Sequence, residues 1–275
     1  MVLLIQYTLI FASVLLLVAL GGCFSEHSGI INIGLEGIMV IGALGGALTM
    51  KYIPETMPAA VTILLVILVS VLVGMIFSLF LGVAAIKFNA DQTLIGTALN
   101  LLGPAIAVVL VRAINMAESI DNVSTTVQYG TAKKAFIVNI GKFEFNWFML
   151  FAFLILIASY VVLYKTKFGL RLMACGEHPQ AADSVGINVY KMRWAGVLIS
   201  GLLGGLGGIM YITTGVSEWK FEYGVAGFGF LALAVMIFGK WKPQNIALAA
   251  ILFGFFRALS NVYFGIDFLA GLNIP

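Results

Sequence analysis

Few residues in this sequence are suited to catalysis. The chain has two histidines and two cysteines, and without a Cys/His cluster His178 is not expected to bind a metal ion. The carboxylates are scattered, and no nucleophile is paired with a base in a recognisable pattern. The Gly-Lys pairs at 141–142 and 239–240 are followed by Phe143 and Trp241, so neither matches a phosphate-binding loop. We therefore expect no catalytic residue, no metal, no cofactor and no enzymatic activity.

Five other polar residues lie within or beside long apolar runs. They are Asn32, Glu36, Gln92, Asn100 and Arg257. Polar groups in apolar surroundings cost free energy unless they are paired, so these residues are candidates for the path of a polar solute. Glu36 has an alternative role as a helix cap, because glycines surround it and a carboxylate is favourable in the first turn of a helix. Arg257 is either a path residue or an end residue whose long side chain reaches out toward water.

A third feature is a polar stretch of about 20 residues, 169–189, between two apolar runs. It contains a Gly-Glu-His-Pro turn, and the residues from Gln180 to Val185 favour a short helix with Pro179 at its N-terminus and Gly186 at its end. The small alanines of this helix would let a partner dock closely, whereas a plain solvated loop is the alternative. The candidate docking residues are Gly176, Glu177, His178, Pro179, Ala181, Ala182, Asp183 and Gly186.

The composition indicates the solvent of this chain. Of its 275 residues 61% are hydrophobic and only 10% are charged, and the mean hydropathy is +1.08. Such a chain has too little polar surface for a water-soluble globule, and several apolar runs reach the roughly 20 residues that a helix needs to cross a bilayer. A net charge of +3 without a basic stripe gives no reason to expect nucleic acid as a partner. The lipid bilayer is therefore the expected surrounding.

The apolar runs predict an all-α, polytopic transmembrane bundle of about eight spans. They cover approximately residues 3–22, 35–50, 59–86, 93–113, 146–164, 190–214, 226–239 and 244–264. Under strict alternation Lys87 and the basic residues of 165–171, 191–193 and 240–242 share one side, which the positive-inside rule makes cytoplasmic. The segment 169–189 is then cytoplasmic and 114–145 forms an external loop. A broken helix near Asn32, dipping to the middle of the bilayer, is the alternative to a cytoplasmic linker there.

Three motifs together resemble one family. These are Ser25 to Gly37, reading SEHSGIINIGLEG, the Gly-Glu-x-Pro-x-Ala-Ala…Gly-Ile pattern of 176–187, and Gly229 to Pro243, reading GFLALAVMIFGKWKP. They resemble the permeases of ATP-binding-cassette (ABC) importers for ribose-like sugars, branched-chain amino acids and nucleosides, and most of all the nucleoside and simple-sugar branch. The resemblance extends over essentially the whole chain.

The resemblance implies a type II ABC importer permease that moves a small polar solute, with a nucleoside preferred over a simple sugar or a branched-chain amino acid. It makes 169–189 the segment that couples the permease to a cytoplasmic ATPase. It also implies a second permease subunit, identical or different, an external substrate-binding lipoprotein, and a multi-pass position in the bacterial inner membrane. Relatives usually continue beyond the position of Pro275, so we expect a C-terminal span to be missing.

Two rival classes predict different behaviour. An ion-coupled secondary transporter or channel would move solute without ATP, and it would leave the small-residue helix after Pro179 without a purpose. A membrane-embedded enzyme is disfavoured by the scattered chemistry described above.

Overall fold

A computed structural model describes residues 2–54, 56–140, 143–214 and 218–262, and within them the chain is predominantly helical. Ten α-helices occur in this part: α1 Val2–His27, α2 Leu35–Tyr52, α3 Ala59–Gly82, α4 Gln92–Glu118, α5 Trp147–Lys165, α6 Lys167–Glu177, α7 Pro179–Ser184, α8 Val189–Thr213, α9 Phe228–Phe238 and α10 Pro243–Val262. Short strands join them: β1 Thr126–Gln128, β2 Ile137–Ile140, β3 Phe143–Asn146 and β4 Glu218–Lys220. The predicted all-α polytopic bundle is confirmed.

Seven helical segments of the described chain are long and apolar enough to cross a membrane. They are α1, α3 with the π-helical turn Val83–Lys87, α4, α5, α8, α9 with the 3₁₀ turn Phe221–Tyr223 before it, and α10. The remaining predicted span, at 35–50, corresponds to α2, which has 18 residues and is buried along most of its length. The span predicted at 226–239 is shorter than expected, because α9 itself has 11 residues and so is only about 16 Å long.

Glycines allow the central helices to pack with their backbones in contact. A Cβ atom on Gly42 of α2 would lie 2.3 Å from the Cα of Gly205 in α8, and one on Gly208 would lie 2.0 Å from the carbonyl oxygen of Met39. A Cβ on Gly205 would come within 2.4 Å of the Ser70 carbonyl oxygen in α3. Helices in lipid associate through such close packing because burying apolar surface gains little there. Helices α2 and α8, which are buried along most of their length, therefore lie at the centre of the bundle, and α3 packs against them.

The two ends of the bundle differ in their secondary structure. We call one the α7 end, since it holds α6, α7, the C-terminus of α1 and the turn at Trp241, and the other the strand end. Helix α8 connects them, because it begins directly after α7 and the carbonyl of Ile212 near its other end accepts a hydrogen bond from Tyr129 beside β1.

The strand end corresponds to the loop predicted at 114–145, and it is more ordered than a loop. Helix α4 continues to Glu118, and the Asn115 amide fastens the following chain by donating to the carbonyl oxygens of Ser124 and Thr126 at 2.9 and 3.0 Å. Strand β1 then pairs antiparallel with β4, and β2 pairs antiparallel with β3. Two pairs of short strands therefore cover the ends of α4 and α8 at this end of the bundle.

Candidate functional site

A short non-helical segment separates α1 from α2. Helix α1 ends at His27, Gly29 takes a left-handed conformation with φ +85°, and α2 begins only at Leu35. Two serine hydroxyls close the turn, because Ser25 donates to the carbonyl of Ile30 at 2.7 Å and Ser28 donates to the carbonyl of Ser25 at 2.6 Å. We call the segment 28–34 the break, and it matches the broken-helix alternative near Asn32.

Asn32 shows that the break enters the interior of the bundle. Its side chain is fully buried, and its amide nitrogen donates to the Ser200 hydroxyl, 2.8 Å away in the middle of α8. The Asn32 side-chain oxygen has no hydrogen-bond partner in the described part of the chain. Helix α2 therefore starts inside the bundle and runs toward the strand end.

Asn100 holds both sides of the break to α4. Its side-chain oxygen accepts the N–H of Gly37 at 2.9 Å, and its amide donates to the carbonyl of Ile33, also at 2.9 Å. Gly37 makes this approach possible, since a Cβ there would lie 2.2 Å from the carbonyl oxygen of Leu99. One asparagine thus satisfies a donor at the start of α2 and an acceptor in the break.

Glu36 caps a helix, but not the helix in which it lies. Its two carboxylate oxygens accept the N–H groups of Gly227 at 2.9 Å and Gly229 at 2.7 Å, at the N-terminus of α9. No side chain fits at position 229, because a Cβ would lie 2.5 Å from the Glu36 Cα. Glu36 lies in the first turn of α2, as the capping interpretation expected, while its carboxylate binds the N-terminus of α9.

Gln92 and Arg257 lie at different levels of the bundle, Gln92 near the α7 end and Arg257 beside the start of α9. The Gln92 side-chain oxygen accepts the N–H of Ile31 at 2.7 Å, near the α7 end. The Arg257 guanidinium lies 5.6 Å from the centre of the Phe228 ring, which is buried at the start of α9 and packs 4.5 Å from the ring of Tyr211. Arg257 therefore neighbours the α9 terminus that Glu36 caps, with a cation–π contact to an aromatic ring.

The other end of α9 is attached to α1. Lys240 and Trp241 both have left-handed backbones, with φ of 50° and 54°. The carbonyl of Trp241 accepts the Cys23 thiol at 3.2 Å and lies 3.1 Å from His27 Nε2, while the indole N–H donates to the Glu26 carboxylate. Helix α9 therefore bridges the break, with one end on α1 and the other on α2.

The short helix predicted after Pro179 is present as α7, with Pro179 at its first position. Gly186 ends it with φ +83°, and its N–H donates to the carbonyl of Asp183 at 2.9 Å. The two alanines differ: Ala181 is exposed, whereas Ala182 is only 4% exposed and faces the protein. Ala182 is therefore not on the open face of α7, contrary to the expectation that both alanines meet a partner.

Helix α6 connects α7 to the break through Gly176. A Cβ at this position would lie 2.5 Å from the carbonyl oxygen of His27 and 3.2 Å from the nitrogen of Gly29. The remaining predicted docking residues, Glu177 and His178, are exposed at the junction of α6 and α7. A displacement of α7 would thus reach the break through one direct backbone contact.

Ser200 had no signal in the sequence, because it lies in an apolar, Gly-rich run and only its long-range bond to Asn32 identifies it. Trp241 fastens α9 to α1, because its indole N–H donates to the Glu26 carboxylate. Within the described residues no group of three or more His, Cys, Asp or Glu side chains could hold a metal ion.

Comparison with known proteins identifies the family of this chain. A family model for the permease component of branched-chain amino acid transport systems matches residues 4–273. The guanosine ABC transporter permease protein NupQ of Bacillus subtilis is 42% identical over 260 residues, which are 93% of this chain and 81% of the relative. The nucleoside ABC transporter permease protein NupC of Lactococcus lactis is 42% identical over 92% of this chain and 80% of its own length.

A second L. lactis relative, the nucleoside ABC transporter permease protein NupB, is 24% identical over 87% of this chain and 67% of its own length. Permease subunits of ABC transporters work with a partner permease and with a separate ATPase, which carries the enzymatic activity. The resemblance drawn from the three motifs is thus confirmed. The chain belongs to the family of branched-chain amino acid transport system permease components, as a multi-pass subunit of the bacterial inner membrane.

Proposed function

We propose that this permease subunit imports a nucleoside in an ATP-dependent transporter. The observation that carries the proposal is the 42% identity, over more than nine tenths of the chain, to permeases named for guanosine and for nucleosides. The polar groups around the break agree with an uncharged solute, since they are amides, a hydroxyl and a carboxylate bound to backbone N–H groups. Such groups are suited to recognise hydroxyls and nucleobase edges.

The path of this solute runs along the break in our proposal. Its candidates remain Asn32, Glu36, Gln92, Asn100 and Arg257, and their positions beside the break and near the start of α9 support this proposal. Most of their hydrogen bonds hold the chain itself, so they shape the path as much as they line it. Among these candidates the buried side-chain oxygen of Asn32 has no hydrogen-bond partner in the described residues, so it could accept a hydrogen bond from the solute.

The α7 end is the cytoplasmic side in this proposal, and α7 is the element on which the ATPase docks. Basic side chains are concentrated there, as the positive-inside rule requires. Ala181 is exposed on α7, and the Val185 side chain, directly after α7, is 73% exposed. Other residues of α7, the start of α8 with Tyr190, and Ile86 line an open cavity of 540 Å³. Exposed apolar side chains such as Val185 and Tyr190 are typical anchors for a protein partner.

In this proposal the movement of the ATPase reaches the break through contacts between neighbouring elements. The ATPase moves α7, α6 follows, and the contact of Gly176 with His27 and Gly29 displaces the break. Helix α9 moves with the break because it is attached to both sides of it. Rigid-body tilting of these elements would switch access to the path between the two membrane faces.

The partner permease is a second, related chain in this proposal. Lactococcus lactis has two relatives named as nucleoside permeases, which differ in their similarity to this chain. Two such subunits per transporter would explain why one organism keeps both. An external substrate-binding lipoprotein would deliver the solute to the strand end, which the orientation above makes the outer face.

The first experiment compares two exposed valines at opposite ends, Val185→Asp and Val123→Asp. Val123 is 63% exposed at the strand end. A bacterial strain lacking the native gene is complemented with each variant, and uptake of radiolabelled guanosine and copurification of the ATPase are measured. A charge in the apolar contact should cost about 1.4 kcal/mol or more, so Val185→Asp should lower ATPase recovery about tenfold. Val123→Asp should retain the ATPase.

Two results would contradict the proposal. Equal ATPase recovery with both variants would remove α7 as the docking element. Uptake by the purified chain in liposomes, driven by an ion gradient without ATP, would favour the secondary transporter. Competition with unlabelled ribose and leucine identifies the solute class, since a nucleoside permease should be inhibited by uridine and not by either of them.

A further inference from the structure

Two helices begin at one point inside the bundle. Helix α2 begins at Leu35 and α9 at Phe228, and Glu36 joins them through its bonds to Gly227 and Gly229. The free N–H groups of a helix N-terminus act as about half a positive charge. In the low dielectric of a membrane protein such ends attract anions strongly, and in transporters they can hold the carboxylate of a substrate.

The Glu36 carboxylate offsets the partial positive charges of the two helix N-termini. The two termini contribute about +1 in total, and the ionised carboxylate contributes about −1. The Arg257 guanidinium, 5.6 Å from the centre of the Phe228 ring, adds a separate positive charge beside α9. The side-chain oxygen of the neutral Asn100 accepts the N–H of Gly37 in α2. The Glu36 carboxylate accepts the N–H groups of Gly227 and Gly229 at the N-terminus of α9. The chain therefore supplies the negative charge that a solute would otherwise supply.

The junction also borders open space. A Cβ placed on Gly227 would meet no atom within 4 Å, and the neighbouring Ala226 is exposed. The Glu36 carboxylate lies behind this surface, since the residue is only 7% exposed. A solute passing here would contact backbone and small side chains, with the carboxylate close beneath them.

We propose that Glu36 is a built-in counter-ion that keeps this helix junction closed to anions and so restricts the path to uncharged solutes. The role of Glu36 in specificity rests on the proposed function, because it requires the solute to pass the break. Glu36 acts as a positioning residue, through the charge it places at the α9 terminus. Arg257 is the other charge nearby, and its contact with the Phe228 ring makes Arg257→Gln the matched control.

The test replaces the carboxylate and then returns it from solution. In Glu36→Ala the side-chain volume is free, so acetate should bind the N–H groups of α9 and acetamide, its neutral analogue, should not. The melting temperature of the purified full-length chain should rise by about 2–4 °C with acetate, which corresponds to roughly 1 kcal/mol. The wild-type chain and Arg257→Gln should show no difference between acetate and acetamide.

Uptake gives the second readout, and it covers the case that Glu36→Ala does not fold. Glu36→Asp keeps the charge, whereas Glu36→Gln keeps the shape, so uridine uptake should be higher with aspartate. Equal effects of acetate and acetamide on Glu36→Ala would overturn the counter-ion role, and so would better uptake by Glu36→Gln than by Glu36→Asp. The melting experiment needs no solute, so it remains informative if wild-type uptake shows that the solute is not a nucleoside.

Discussion

The two ends of the bundle differ in whether their charged side chains form salt bridges. At the strand end Lys51 is paired with Glu118 at 2.8 Å, and Glu222 is paired with Arg112 at 3.3 Å and with Lys220 at 3.0 Å. At the α7 end, within the described residues, no salt bridge forms although basic side chains are concentrated there. These are Lys87, Lys165, Lys167, Arg171, Lys191, Arg193, Lys240 and Lys242.

The apolar surface does not share this contrast. Val185 and Tyr190 are 73% and 51% exposed at the α7 end, and Ile120 and Val123 are 84% and 63% exposed at the strand end. The ends therefore differ in their charges: one is stabilised by ion pairs within the chain, whereas the other keeps, among the described residues, cations without a salt bridge for a partner or for anionic lipid.

The largest effect is expected at Gly176, where α6 touches the break. In Gly176→Val the new side chain would collide with the carbonyl of His27, and such overpacking costs about 1–3 kcal/mol. Solute uptake should fall about tenfold or more, since 1.4 kcal/mol corresponds to a factor of ten in the population of the docked arrangement. Uptake by whole cells, normalised to the amount of protein in the membrane, measures this.

The matched change at the strand end is Gly130→Asn. Gly130 has φ +39°, which asparagine tolerates, and a Cβ there would meet no atom within 4 Å. This variant should transport normally. Equal losses in the two variants would mean that Gly176 matters for folding alone and that the α7 end has no special role in coupling.

The second prediction uses Cys175, in α6, to detect movement at the α7 end. Its side chain is fully buried, and burial raises the pKa of the thiol, so little reactive thiolate is present near neutral pH. In a Cys23→Ala background, labelling by a maleimide should be slow and should accelerate several-fold while the assembled transporter hydrolyses ATP. Labelling should also increase as the pH rises toward the raised pKa.

Val127→Cys is the control at the strand end, because Val127 is buried to a similar degree, at 1% exposure. Its labelling should be slow with or without ATP. A constant rate at Cys175 during turnover would show that α6 does not separate from its neighbours, and the proposed route through Gly176 would then be wrong.

The sequence was most informative where structure depends on neighbouring residues. Pro179 and Gly186 delimit α7 through their own backbone preferences, and glycines near Asn32 indicated a broken helix. The orientation of Ala182 could not be predicted, because a helix of six residues is too short to show a periodic pattern.

Contacts between distant residues were beyond prediction. The bond between Glu36 and Gly227 joins residues 191 positions apart, and the pairing of β1 with β4 brings Thr126 to Lys220. Asn100 was recognised as a buried polar group, but only the fold shows that it binds both sides of the break. The sequence thus predicted which residues require a partner, and the structure identifies the partner.

The smallest effect is expected for Tyr129→Phe at the strand end. The Tyr129 hydroxyl is buried and donates to the carbonyl of Ile212 at 2.6 Å, so its loss leaves that carbonyl without this partner. The cost should be about 1–2 kcal/mol of stability. Tyr52→Phe is the control, because the exposed Tyr52 hydroxyl binds Glu118 at 3.2 Å in contact with water and its loss should cost almost nothing. Melting temperatures of the purified variants measure both. Uptake should be unchanged in each variant, since a strand end whose charges are paired within the chain supports the bundle without moving. Reduced uptake by a Tyr129→Phe chain of normal stability would show that this end also takes part in the transport cycle.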